Sequence, residues 1–197
     1  MPKVSDEYRQ TKRREIAEAA LRVFERKGFH AASMADIITE SGASAGAIYG
    51  SFKSKNEIVL EVANTLVDER IADAHAFLTL DPMPVPGAIV GPFLAGMLSQ
   101  VGRPDVLVQL WGEAVTDDDI RTITVDIMRR ITEMYEVYIA AWHELQNGLS
   151  PADATALARR QAPLFVGVSQ GYLLQRALRP DFDGDAYLSG LAEFLPR

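Results

Sequence analysis

The turn Ser41-Gly42-Ala43-Ser44 separates two apolar-periodic runs that are each too short to fold alone. The run before it opens at Ser33, a good helix cap with Asp36 three positions on, and carries Ile37 and Ile38. The run after it opens at Ser44 and carries Ile48 and, one turn later, Phe52. Isolated helices shorter than about 12 residues are marginal in water, so both must lean on longer neighbours. One is at hand upstream, over residues 10 to 27, where Ile16, Ala20, Val23 and Phe24 give one apolar face and Gly28 a left-handed stop. Downstream, Ser54 with Glu57 reads as a capping box. It opens a fourth helix through Val59, Val62, Ala63, Leu66 and Val67 towards Leu80, where a proline-rich turn ends it. Two short helices across a tight glycine turn, backed by a longer one, fit helix-turn-helix geometry.

The same turn contains Gly42-Ala43-Ser44-Ala45-Gly46, the G-x-S-x-G pattern of a serine-hydrolase nucleophile elbow. An elbow needs a strand running into a helix. Here a capped helix precedes the motif, and neither His75 nor His143 has a triad context, so the chain reads as a non-enzyme. No cysteine is present and the three histidines lack H-x-x-x-H spacing, which argues against a metal site. No Walker loop or G-x-G-x-x-G occurs, so no cofactor is expected. Asp117-Asp118-Asp119 is explained by the dipole of the helix it starts.

The rest of the chain continues in helices. Residues 88 to 101 are apolar and end at Gly102; Pro104 opens a helix with Leu107, Leu110 and Trp111. Thr116 with Asp119 is expected to cap a long helix striped by Ile120, Ile123, Ile127, Ile131, Met134, Tyr138, Ala141 and Leu145, stopped at Gly148. Ser150-Pro151-Ala152-Asp153 opens another towards Leu178, which Pro163 is expected to kink or split. A last helix spans about 184 to 195. No alternating strand pattern appears. The fold class is therefore all-α, a helix-turn-helix DNA-binding domain over 1–54 and a larger helical domain over 55–197. No apolar run approaches the roughly 20 residues of a membrane span, and the polar N-terminus does not read as a signal peptide, so a cytoplasmic protein is expected.

Charge separates the same two parts. Residues 1–55 hold ten basic and seven acidic side chains, including every lysine, whereas the other 142 hold ten basic and twenty acidic. A small basic head on an acidic body is the footprint of a nucleic-acid binder.

Ile16, Ala19, Ala20, Phe24, Gly28, Phe29, Ile37, Gly42, Ser44, Gly46, Ile48, Tyr49, Phe52, Lys53, Lys55 and Leu60 stand as in the N-terminal domain of the TetR family of one-component repressors. The resemblance is dense over residues 10 to 62. A weaker likeness near "GVSQGYLLQRALRPDFD" is to the dimerisation helix of the subgroup that includes the choline-responsive repressors. The resemblance implies a ligand-responsive repressor that binds a palindromic DNA operator as a homodimer and is released when a small molecule binds the body. It implies phosphate contacts from Ser33, Tyr49, Lys53 and Lys55, with Ser44, Ala45, Gly46 and Ala47 over base edges in the major groove. Where relatives often carry bulky or polar residues, this recognition helix has Ala45 and Gly50-Ser51, so it is nearly bare of reading side chains. Lys3, Arg9, Lys12, Arg13 and Arg14 are expected to form a basic arm that adds minor-groove contacts.

For the body, His75, Phe93, Met97, Trp111, Met128, Tyr135, Tyr138, Trp142 and Gln170 are the candidate lining of an effector pocket, because such pockets are mostly apolar and aromatic. Few buried charges are in prospect, which favours an apolar or weakly polar effector. The dimer interface is expected on the last two helices, through Leu164, Val168, Gly171, Tyr172, Gln175, Leu188, Leu191 and Leu195.

Overall fold

The computed structural model describes residues 6–195, and Lys3 lies outside them. Nine α-helices are found among the described residues: α1 Asp6–Lys27, α2 Met34–Ser41, α3 Ala45–Ser51, α4 Lys55–Phe77, α5 Val90–Val101, α6 Pro104–Ala114, α7 Asp118–Asn147, α8 Pro151–Leu178 and α9 Gly184–Phe194. A 3₁₀ turn, Pro86–Ile89, leads into α5.

Local chemistry sets most of the boundaries. The Ser33, Ser44, Ser54 and Ser150 side chains each accept an amide of the first turn they cap. Gly42 and Gly148, at φ +64° and +62°, close α2 and α7 in the left-handed conformation that an L side chain resists. Three expectations need correction. Asp117, not Thr116, caps α7 by accepting from the Ile120 amide at 2.9 Å, while the Thr116 hydroxyl donates back to the Glu113 carbonyl. Pro163 does not split α8, which runs unbroken from Pro151 to Leu178. Pro163 and Arg159 are both exposed, so water can serve the carbonyl that the missing amide leaves unpaired. Arg9, Lys12, Arg13 and Arg14 are no arm, because α1 already begins at Asp6.

In the head, Ile16, Ala20, Val23 and Phe24 of α1 close over Ile37 of α2, Ile48 of α3 and Phe52, all buried. Their burial is what stabilises two helices too short to persist alone. Helix α4 packs on α1 at one end and on α7 further along, so the core runs without interruption from head to body. The hairpin of α7 and α8 is the body's main pair, with α6 laid across both.

Candidate nucleic-acid interface and effector cavity

The apolar period of the helix-turn-helix decides what faces outward. Ile48 is fully buried, and that fixes the roll of α3. Ser44, Ala45, Gly46, Ala47, Tyr49 and Gly50 are consequently exposed, Tyr49 at 53 %. A methyl group added at Gly46 or Gly50 would meet nothing within 4 Å, so the protein's own packing does not require glycine at either. Ser44 Oγ accepts from the Ala47 amide at 3.2 Å, which makes it a cap rather than a nucleophile.

The residues assigned to phosphate differ in availability. The Tyr49 and Lys53 side chains are exposed, and neither has a partner among the described residues. The Ser33 hydroxyl donates to Asp36 Oδ2 at 2.8 Å within its capping box, and must give up that bond to donate to a phosphate. The Lys55 ammonium is turned inward. It donates to the carbonyls of Phe29 and Ala32 at 3.0 and 3.1 Å and lies 4.4 Å from the centre of the Phe29 ring. Partial burial holds Lys55 below the ordinary lysine range, opposed by the negative charges of Glu113 and Asp117. It therefore joins α4 to the α1–α2 loop, with one ammonium proton left over.

Several head cations are also engaged. Arg13 forks onto Glu61 and donates to the Ser51 carbonyl at 2.6 Å with its guanidinium over Phe52, binding α1 to the end of α3 and to α4. Arg22 and Arg26 share Glu40, Lys12 pairs with Glu15, and Lys27 pairs with Asp36 at 2.5 Å. The Lys27 ammonium, helped by the Ser33 hydroxyl and amide, lowers the Asp36 carboxyl to about 2.

In the body a cavity of about 80 Å³ opens between α4, α5, α6, α7 and α8. Its wall takes Ala63, Leu66 and Val67 from α4, Phe93 and Met97 from α5, and Leu107, Leu110 and Trp111 from α6. Helix α7 gives Ile123, Thr124, Ile127, Met128 and Ile131, and α8 gives Val166, Ser169, Gln170 and Leu173. Of the expected lining, Phe93, Met97, Trp111, Met128 and Gln170 are present. Tyr135 is buried behind the wall, 3.3 Å from Ser169 Oγ, and burial raises its pKa. Tyr138 donates to the Pro84 carbonyl at 2.9 Å, and burial pushes it up to about 12. Trp142 packs on His143 further along α7, and His75 sits exposed in the last turn of α4. The missed lining is mainly aliphatic and carries no signal that separates it from ordinary core.

Helix α6 touches both regions. Leu107, Leu110 and Trp111 face the cavity, while Gln109 accepts from the Phe29 amide at 2.9 Å and Glu113 approaches His30 at 3.3 Å. A second cavity of about 50 Å³ lies in this seam between Phe24, Phe29, Val62 and Val106, and shares Ala63, Leu66, Leu107 and Leu110 with the first.

The expected dimer face divides. Tyr172 is enclosed by Phe182 and Tyr187, with all three rings mutually edge-on. Leu191 and Leu195 are buried within the subunit, beside Gly87 of the 3₁₀ turn. These three are internal core, because α9 folds back onto its own chain. Leu188 is half-buried near Gly91, and Val168, Gly171 and Gln175 are also half-buried. Leu164 stays exposed, as do Gly167, Leu174 and Leu178 on the same helix.

Residues 16–62 match the family described as bacterial regulatory proteins, tetR family. A curated relative, the uncharacterized HTH-type transcriptional regulator YfiR of Bacillus subtilis (strain 168), is 43% identical over 68 residues; the match takes in 34% of this chain and 33% of that protein. The chain thus spans about a third of the relative's length. Among solved structures, a TetR transcription regulator from Haloarcula marismortui superposes with a TM-score of 0.75 at 15% identity, over 94% of this chain and 97% of that one. A putative transcriptional regulator from Saccharomonospora viridis in complex with choline gives a TM-score of 0.61 at 24% identity, over 95% of this chain and all of that one.

Proposed function

We propose, from the match of residues 16–62 to the tetR family of bacterial regulatory proteins, that the chain is a ligand-responsive repressor of the TetR family. In this reading it binds a palindromic operator as a homodimer and leaves when a small molecule enters the body cavity. One observation carries the proposal: a single helix, α6, lines the cavity with Leu107, Leu110 and Trp111 and bonds the DNA-binding head through Gln109.

The head supplies both kinds of DNA contact. The Tyr49 hydroxyl and Lys53 ammonium are available to phosphates, which fix register without reading sequence. Ser44 and the methyls of Ala45 and Ala47 are what α3 offers to base edges, with Gly46 and Gly50 admitting a close approach of its backbone. Two heads must span half-sites about 34–36 Å apart, so a small change in their separation abolishes simultaneous docking.

The body supplies the switch. Ligand pockets typically occupy about 300–1,000 Å³, well above the 80 Å³ available here. A ligand of that size has to displace the wall, and in this reading α6 moves away from α4 and α7, which carries the push to Gln109 and the seam cavity behind Phe29. An effector that fits only the expanded body shifts the population away from the DNA-binding arrangement. The dimer seam is the stripe of α8 at Leu164, Gly167, Gly171, Leu174 and Leu178, half-buried at Gly171 and exposed at the other four, whose spacing alternates three and four as in a helix–helix seam.

The test is binding of the intact protein to a randomised palindrome library at low salt, with the selected site titrated against salt. A steep loss of affinity with salt is expected. No selected sequence at low salt would refute the reading.

A further inference from the structure

We infer that the effector is a compact, uncharged, largely apolar molecule with one hydrogen-bonding group, and that this group docks on the Thr124 hydroxyl. The inference rests on the body cavity being the effector site.

Threonine inside a helix ordinarily returns its hydroxyl to the carbonyl four residues back. Thr39, Thr65, Thr122 and Thr132 all do so, at 2.8 to 3.0 Å. Thr124 does not. It is only 7 % exposed, it stands in the cavity wall, and its hydroxyl reaches no partner. An unpaired buried hydroxyl costs stability, and valine would fill the same space without that cost. The unpaired hydroxyl thus belongs to a residue that borders the space where a ligand would sit, within reach of a ligand that widens it.

The other polar groups of the wall narrow the chemistry. Ser169 is occupied, donating to the Phe165 carbonyl at 2.8 Å. The Gln170 amide donates to the Met128 thioether at 3.7 Å, a weak acceptor that a better one can displace. No wall residue carries a charge. An ion entering this cavity would lose its hydration and find no counter-charge. The buried guanidinium nearby, Arg70, lies outside the wall; its Nη2 is held by Asp73 and Glu69 at 3.0 and 3.4 Å, while Nε and Nη1 have no partner among the described residues. The fold neighbour that holds choline binds a cation, whereas this wall offers no carboxylate to one.

The test is calorimetric titration of the full-length protein, without DNA, against p-cresol, toluene, 4-methylbenzoate and 4-methylbenzylammonium. These probes share one ring and differ in a hydroxyl or a charge. p-Cresol should bind roughly tenfold tighter than toluene, the scale of one net hydrogen bond. Both ions should bind at least tenfold more weakly than p-cresol. Thr124→Val should erase the preference for p-cresol while keeping toluene binding, and Thr124→Ser should restore it. The melting temperature of Thr124→Val, at or above that of the unsubstituted protein, confirms that the variant folds. An ion that matches p-cresol, a preference that survives in Thr124→Val, or no binding by either neutral probe overturns the inference. Operator release is scored separately: a Thr124-dependent ligand that leaves operator affinity unchanged upholds the ligand class and refutes the switch.

Discussion

Gln109 Oε1 accepts the Phe29 amide at 2.9 Å, across the seam between the body and the DNA-binding head. The bond sits one residue from Leu110 and two from Trp111, both in the cavity wall. Gly28 makes room for it. A methyl group there would lie 2.6 Å from the same oxygen, on a backbone already at φ +79°. Helix α4 also joins head to body, but it continues through a shared core and has little freedom to move alone. Helix α6 reaches the head through the Gln109 and Glu113 contacts and through Val106, Leu107 and Leu110 around the seam cavity, where empty space leaves room for a small displacement.

Gln109→Leu should therefore cost about 1–3 kcal/mol of stability, because the Phe29 amide is left unpaired in a partly buried seam. Its larger effect should be on coupling: operator affinity with and without a bound ligand should converge. Denaturant unfolding gives the first quantity and DNA anisotropy titrations the second. An undiminished ligand response in this variant would place the coupling elsewhere.

Gly46→Ala and Gly50→Ala should stabilise the protein, each by about 0.5–1 kcal/mol, since glycine weakens a helix interior and the added methyl meets open space. Operator affinity should nevertheless fall, because in the proposed reading the bare face is where the helix backbone approaches the bases. A variant that is both more stable and equally tight on DNA would show that these glycines serve no recognition role.

Lys53 and Lys55 should separate in the same assays. Lys53→Gln should leave stability unchanged and lower the slope of log affinity against log salt by about one, the signature of one lost phosphate contact. Lys55→Gln should lower stability, because the Phe29 and Ala32 carbonyls lose their charged donor. Equal salt slopes in the unsubstituted protein and Lys53→Gln would remove Lys53 from the interface.

That contrast marks what was legible in the sequence. The caps at Ser33 and Ser44 and the left-handed Gly42 are decided within four residues, so the helix-turn-helix could be read directly. The outward direction of Tyr49 followed from the burial of Ile48 beside it. The inward turn of Lys55 depends on carbonyls some two dozen residues earlier, which no local pattern encodes. The same limit explains the cavity. Tyr138 and Trp142 share a stripe with Ile127 and Ile131, but only the crossing of α6 decides which stretch of α7 borders the empty space. It explains α9 as well, whose Leu191 and Leu195 are apolar enough for either a partner or their own subunit.

Acid should weaken the cap of α2. Asp36 has its carboxyl lowered from 3.8 to about 2 by Lys27 and Ser33. A carboxyl depressed by folding contributes fully above its unfolded value, and the contribution is lost as pH falls from about 4 to about 2. Asp36→Asn should flatten the pH dependence of unfolding in that window and leave the slope above pH 5 unchanged. An identical acid limb in the variant would show that other carboxylates govern it.

The last prediction concerns assembly. Leu174 and Leu178 are 42 % and 68 % exposed on α8, one and two turns beyond Gly171 on the stripe that begins at Leu164. Both are exposed within one subunit, so a charge at either position costs the fold little. In a two-fold dimer the stripe would pack on the partner's copy of the same stripe, and glutamates at both positions would bring like charges together in a buried seam, which is strongly unfavourable. Leu174→Glu with Leu178→Glu should convert a dimer into a monomer of unchanged helicity, read by sedimentation and circular dichroism. Operator affinity should fall by more than tenfold, since one head alone loses the second half-site. A doubly substituted protein that still sediments as a dimer would move the interface off this stripe. An unsubstituted protein that sediments as a monomer at micromolar concentration would refute it altogether.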